Sequence, residues 1–308
     1  MVRQTQNGRA SLWGQVCFAW HILRSIIKIR PDVVCGVNED TACLLLPMKH
    51  ILYRKLVCDI FDTLYDRHSN KSLPIRILAR MMTWLGRTFS DELIVTDQNR
   101  FDRMGRYASK SRIIENFPED PGDQIANKLP SGNTKVLVAG TLNERRGLSQ
   151  ILAAVEQTEG ASIVSVGWAY DDFASEVFVK HPLVDFRGVV TLAGSLAMAA
   201  ECDAVFAFYE PSSINNRNAS PNKIYDAVSV GRPVIVNNEI TVASSVTEHN
   251  LGFACEYQDQ QSLTDYLAQL PARRAELPSE IKRCRGLFHK QWDWALMEPI
   301  LKEIYSAI

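Results

Sequence analysis

With 308 residues, 46% hydrophobic and 22% charged, the chain is long enough to bury a sizeable core and to form two domains. A formal net charge of -1 argues against a dedicated nucleic-acid binder, whose phosphate-backbone footprint is strongly basic. The seven cysteines form no Cys-x-x-Cys pair and fall mostly within apolar runs, so they read as reduced, buried side chains of a cytosolic protein. No apolar run approaches the roughly 20 residues of a membrane span, and Gln15, His21 and Arg24 interrupt the N-terminal apolar stretch too soon for a signal peptide.

In chain order, helical spacing covers 12–29, and short apolar runs at 33–37, 55–60, 92–96 and 112–116 read as strands. The second of these runs into Cys58-Asp59-Ile60-Phe61-Asp62, a strand end rich in carboxylates. Taken by themselves, Asp59 and Asp62 read as carboxylates of a strand-end turn that cap the next helix. Residues 73–89 combine apolar bulk with Arg76, Arg80 and Arg87. Such a helix suits an anionic bilayer surface, but the commoner arrangement, a core-facing stripe with a charged outer side, is the expectation here. The Pro-, Gly-, Asp- and Asn-rich stretch 118–133 reads as a linker between domains.

Beyond it, strand-like runs at 135–140, 162–168, 184–190, 203–210, 232–237 and 252–257 alternate with helical segments, the first of them at 147–157. That alternation predicts a parallel sheet covered on both faces, with ligands bound beyond the carboxyl ends of its strands. The loops 140–147, 167–170 and 210–223 all fall there. Pro221 suits the first turn of a helix, and Asn222 and Lys223 then lie beside bare N–H groups that attract phosphate. Asp226 follows one turn on, and Gly231 ends the helix before a buried strand. In Gly140-Thr141-Leu142-Asn143-Glu144-Arg145-Arg146-Gly147, Arg146 can fork two phosphate oxygens and Arg145 can add a second charge; a solvated loop whose arginines cap carbonyls is an equal reading of this stretch alone, and the Asp226 segment favours phosphate. None of the six histidines has metal-ligand or triad spacing, so neither a metal nor another cofactor is expected.

Together, 140–147 and 220–236 resemble the donor-site segments of glycosyltransferases with the GT-B fold, in particular the retaining family-4 type, glycosyl transferases group 1. The resemblance implies two Rossmann-like α/β domains binding a UDP- or GDP-sugar, with Asp226 gripping the ribose hydroxyls where relatives carry the longer Glu. Arg146 stands at the position of the family's phosphate lysine, Lys223 lies in the motif Pro-x-Lys-x-x-Glu/Asp, and Thr141 replaces the family's first arginine. Asn218 replaces the first acid of a spaced acidic pair. Cys58–Asp62 resembles the family segment that faces acceptor and donor sugar, which makes Asp59 and Asp62 candidates to orient an acceptor hydroxyl or take its proton, a reading equal to the capping turn. The closing stretch 284–308, with Phe288, Trp292, Trp294 and Tyr305, resembles the helix that crosses back to the N-terminal domain.

The domains implied are a reduced N-terminal acceptor-side domain at 1–120, lacking the usual opening strand and glycine-rich loop, a donor domain at 134–290 and a cross-over helix at 291–308. The activity implied is sugar transfer to a saccharide or lipid-linked acceptor in surface polysaccharide biosynthesis. The alternative is a non-catalytic nucleotide-sugar-binding or scaffolding subunit that needs a partner chain or self-associates. The location implied is the cytoplasm, with peripheral contact at the inner face of the membrane left open and no nucleic-acid partner.

Overall fold

The computed structural model describes residues 12–306. Two compact units separate among them, one running up to Glu115 and taking in Pro299 onward, the other spanning Asn116–Glu298.

The first unit is built on a parallel sheet of β1 (Val33–Val37), β2 (Lys55–Ile60), β3 (Glu92–Val95) and β4 (Ser111–Ile113), in that spatial order. Side chains alternate across it. Leu56, Cys58 and Ile60 enter a core with Ile26, Ala42, Leu45, Leu93 and Val95, whereas Val57 and Asp59 face the other side. On that second face Lys55 donates to the Ile304 carbonyl at 2.8 Å, and Tyr305 bonds the Cys35 thiol.

The helix Leu73–Phe89 is turned opposite to the expectation. Its buried residues are Ala79 and Gly86, while Leu73, Ile77, Leu78, Met81 and Trp84 are exposed. Small inward residues let it lie close against the helix Asn38–Leu45, where Arg87 reaches the fully buried Glu39 at 2.9 Å. The bulky stripe is left outside.

The second unit holds β5 (Thr134–Leu142), β6 (Ala161–Ala169), β7 (Val184–Phe186), β8 (Ala204–Ala207), β9 (Val234–Asn237) and β10 (Gly252–Cys255), all parallel in the order β10-β9-β8-β5-β6-β7. Both faces are covered, as near-continuous apolar strands require. Val136, Val138, Ile163 and Phe206 pack with Leu148 and Leu267 on one side; Leu137, Val205, Val234 and Val236 pack with Leu196, Val228 and Phe288 on the other. The chain lays β6 and β7 on one side of β5, then returns to place β8 on the other.

Residues 118–133 are not a free connector. Arg285 pairs with Asp120 and Asp123, each at 2.9 Å, and the Trp294 N–H donates to the Pro118 carbonyl. Arg232, at 0% exposure, sends its guanidinium to the carbonyls of Lys128, Ala200, Cys202, Val230 and Gly231. Burial pulls its pKa down to about 10, still fully charged near neutrality. Just before it, Gly231 at φ 66 closes the helix Asn222–Ser229, with the Arg232 N–H reaching back to the Ala227 carbonyl at 2.8 Å.

The C-terminal segment forms two helices rather than one, Leu277–Gln291 and Trp294–Ser306. Asp293 accepts from the Ala295 N–H at the break, and Trp292 packs edge-on to Tyr225 at 5.5 Å. Four cysteines, Cys58, Cys202, Cys255 and Cys284, are buried; Cys17 and Cys43 are half-buried, and Cys35 is exposed. Among the described residues no helix is long and apolar enough to cross a membrane.

Candidate functional site

The order of the second sheet reverses between β5 and β8, and parallel strands diverge outside their carboxyl ends at such a point. A cavity of about 350 Å³ opens there, walled by the end of β5 from Val138 to Leu142 and the end of β8 from Phe206 to Tyr209. All three loops expected to converge contribute to it: Gly140, Thr141 and Arg146 from the first, Trp168 from the second, Ser220, Asn222 and Lys223 from the third. Gly140, on the cavity wall, is paired with Gly167 across β5 and β6, and a Cβ on Gly167 would stand 1.8 Å from the Gly140 carbonyl oxygen. No side chain fits at position 167.

Two cations reach the cavity wall. The Arg146 guanidinium lies 3.9 Å over the Tyr209 ring, a stacking that fixes its plane while its N–H edges stay available. Tyr209 is held in turn by the fully buried Asn237, which accepts from its N–H at 2.8 Å and donates to its carbonyl at 3.1 Å. Lys223 stands in the first turn of the helix opened by Pro221, where N–H groups lack intrahelical partners. Its ammonium bonds the Asp226 carboxylate at 2.5 Å, and Asp226 is 5% exposed. Asp226 thus sits behind Lys223 rather than on the wall.

The remaining donor-side candidates lie elsewhere. Arg145 has a 78% exposed side chain and stands 3.5 Å from Glu210, outside the wall. Asn218 is turned to the Thr241 hydroxyl at 3.5 Å and likewise does not line the cavity. Sequence reasoning missed Tyr209, Ser220 and Asn237. An aromatic residue directly after the Phe206-Ala207-Phe208 run was the available signal for Tyr209.

Asp59 and Asp62 are not brought together. Asp62 follows β2 and pairs with Arg100 at 3.2 Å. Asp59 faces the Cys35 and Tyr305 side of the sheet, one of its carboxylate oxygens is buried without a partner, and burial pushes its pKa up to about 6. Its proton is held more tightly in the folded chain than in the unfolded one, where a carboxyl titrates near about 3.9, so ionisation lowers stability as pH rises from about 4 through 6. Asp59→Asn is therefore expected to raise the melting temperature at pH 7.5 and to leave it nearly unchanged at pH 4, read by thermal denaturation at both. Equal shifts at the two pH values would show that the carboxyl does not titrate in this environment.

Among the described residues no group of three His, Cys, Asp or Glu side chains is placed to hold a metal ion.

No protein-family model matches the sequence, and no curated protein matches it. Solved structures do. Sucrose-phosphate synthase from Thermosynechococcus elongatus aligns with a TM-score of 0.71 at 15% identity, over 96% of this chain and 78% of its own. HepE from Anabaena, solved with UDP and glucose, aligns with a TM-score of 0.73 at 16% identity, over 98% and 85%. A glycosyltransferase from Rickettsia africae aligns with a TM-score of 0.63 at 14% identity, over 96% and 81%. The chain has the GT-B fold of two Rossmann-like domains.

Proposed function

We propose that the chain is a glycosyltransferase that moves a sugar from a nucleoside diphosphate donor, UDP- or GDP-linked, to a saccharide or lipid-linked acceptor, with no metal. The carrying observation is the convergence of Arg146, Lys223 and the helix opening at Asn222 on one cavity at the strand reversal. A diphosphate leaving group gains negative charge as the glycosidic bond breaks, and preset cations stabilise that charge more in the transition state than in the ground state. Arg146, held flat by Tyr209, and Lys223, held by Asp226, are such cations. The fold supports this reading through neighbours such as HepE, solved with UDP. Surface polysaccharide synthesis on the cytoplasmic side of a membrane is the setting that suits it.

The test is a thermal-shift screen followed by donor turnover. At a ligand concentration about 100 times Kd, a specific nucleotide should stabilise the fold by roughly 2.7 kcal/mol. UDP or GDP and their sugars are expected to raise Tm where the free sugars and AMP do not, and donor hydrolysis or transfer should follow. No shift with any nucleoside diphosphate would overturn the reading.

One observation favours a second reading, a donor-binding subunit without turnover that requires a partner. Asp62 is engaged by Arg100, and the unpartnered oxygen of Asp59 is buried, so neither carboxylate is open to an acceptor hydroxyl as a general base must be. Saturable nucleotide binding with no hydrolysis or transfer would select it.

A further inference from the structure

A second cavity, of about 260 Å³, lies wholly within the first unit beyond the ends of β2 and β3. Four arginines line it, Arg80, Arg87, Arg100 and Arg103, together with Tyr65 and Thr83. Three of them are neutralised: Arg87 by Glu39, Arg100 by Asp97 and Asp62, and Arg103 by Asp66 at 2.7 Å. Arg80 is different. It stacks 4.9 Å over the Tyr65 ring and donates to the Tyr65 hydroxyl at 3.2 Å, with no carboxylate partner among the described residues. Arg76 also bonds that hydroxyl, and the two guanidinium groups lower the Tyr65 pKa. The Thr83 hydroxyl, buried on the same wall, has no hydrogen-bond partner. A guanidinium without a carboxylate partner and an orphan hydroxyl in one pocket fit a phosphate group.

The same helix Leu73–Phe89 that supplies Arg80, Thr83 and Arg87 presents Leu73, Ile77, Leu78, Met81 and Trp84 to solvent on its adjoining side. The helix Leu12–Ile29 of the same unit repeats the pattern, with Trp13, Val16, Trp20 and Ile27 exposed near Arg24 and Lys28. Neither helix contains an acidic residue, although the whole chain carries a net charge of -1. Cations are thus concentrated where bulky apolar side chains face outward, the composition of a helix lying in an anionic lipid interface.

We propose that the outer face of Leu73–Phe89 docks on an anionic lipid surface and that the pocket beside it takes the phosphate group of a lipid in that surface. The site adds an acceptor side to the donor-side reading above, and its test needs no donor turnover, so the two can fail separately.

The test is sedimentation of the full chain with vesicles of phosphatidylcholine alone, or with phosphatidylglycerol or phosphatidic acid added to equal surface charge. Wild type should bind anionic vesicles at least tenfold better than neutral ones, and phosphatidic acid, with its accessible phosphate monoester, better than phosphatidylglycerol. Arg80→Gln should erase the preference for phosphatidic acid, whereas the double variant Ile77→Ser, Trp84→Ser should lose vesicle binding altogether. Both variants are first matched to wild type in Tm, which exposed positions permit. Equal binding to neutral and anionic vesicles, equal binding to the two anionic lipids, or full vesicle binding by the Ile77/Trp84 variant would overturn the proposal. A Tm increase with glycerol phosphate but no vesicle binding would overturn it as well.

Discussion

Lys223→Met is expected to weaken binding of a nucleoside diphosphate by about 10- to 100-fold, roughly 1.4–2.8 kcal/mol, while leaving affinity for the bare nucleoside unchanged. The Lys223 side chain is 22% exposed and lines the cavity at a helix N-terminus, so its charge would act on a bound phosphate through a medium less screening than water. Asp226→Ala should behave differently. If the carboxylate reaches ribose hydroxyls when the donor enters, diphosphate and nucleoside should lose affinity by the same factor, because the ribose is common to both. Calorimetric titration of both ligands into both variants separates the two roles. A Lys223→Met protein that loses nucleoside and diphosphate equally would show that the lysine supports the local fold and not the phosphates.

Arg232→Met should cost about 3–5 kcal/mol of stability, because buried carbonyls left without a donor cost about 1–3 kcal/mol each, offset in part by the charge that no longer has to be buried. Five carbonyls lose their donor at once, and those of Ala200, Val230 and Gly231 lie at helix ends where intrahelical partners are lacking. For a unit of this size that corresponds to a fall in Tm of roughly 6–20 °C. Lysine should recover little of it, since a single ammonium cannot span the fork of contacts that the guanidinium makes. The loss should be insensitive to salt, because the group is fully buried. A melt within a few degrees of wild type would show that the carbonyls find water instead.

Much of the fold was legible because its signals are local. The helix Leu12–Ile29 and strands β1 and β2 have the expected bounds, where apolar runs meet punctuation such as Pro31-Asp32 and Asn38. Strand ends were overextended where residues belong to the site or to side-chain networks. The run at 203–210 shortens to Ala204–Ala207 because Asp203 accepts from the Lys135 N–H and pairs with Arg274, while Phe208 and Tyr209 turn into the cavity wall. Periodicity shows which residues of a helix share a face but not whether that face turns inward. Leu73–Phe89 came out reversed for that reason: the choice depended on the small residues Ala79 and Gly86 meeting another helix.

Side-chain recognition of distant backbone was invisible in the same way. Arg232 reads as the polar start of a strand and Arg285 as a surface arginine, until the carbonyls and carboxylates that they gather from 118–133 are in place. In the candidate site, Arg146, Asn222 and Lys223 were legible from turn and helix-start chemistry. The location of Asn218 and Arg145 off the wall was not, because a loop conformation decides it.

The contact between Gly140 and Gly167 bears on how this pocket can change over time. With the Gly140 carbonyl already occupying the place of a Cβ on Gly167, position 167 admits no side chain unless β5 and β6 move apart. A change in what this cavity admits must therefore come from other positions, the lining residues Trp168 and Ser220 among them. Those positions can vary while the pairing of β5 with β6 stays as it is.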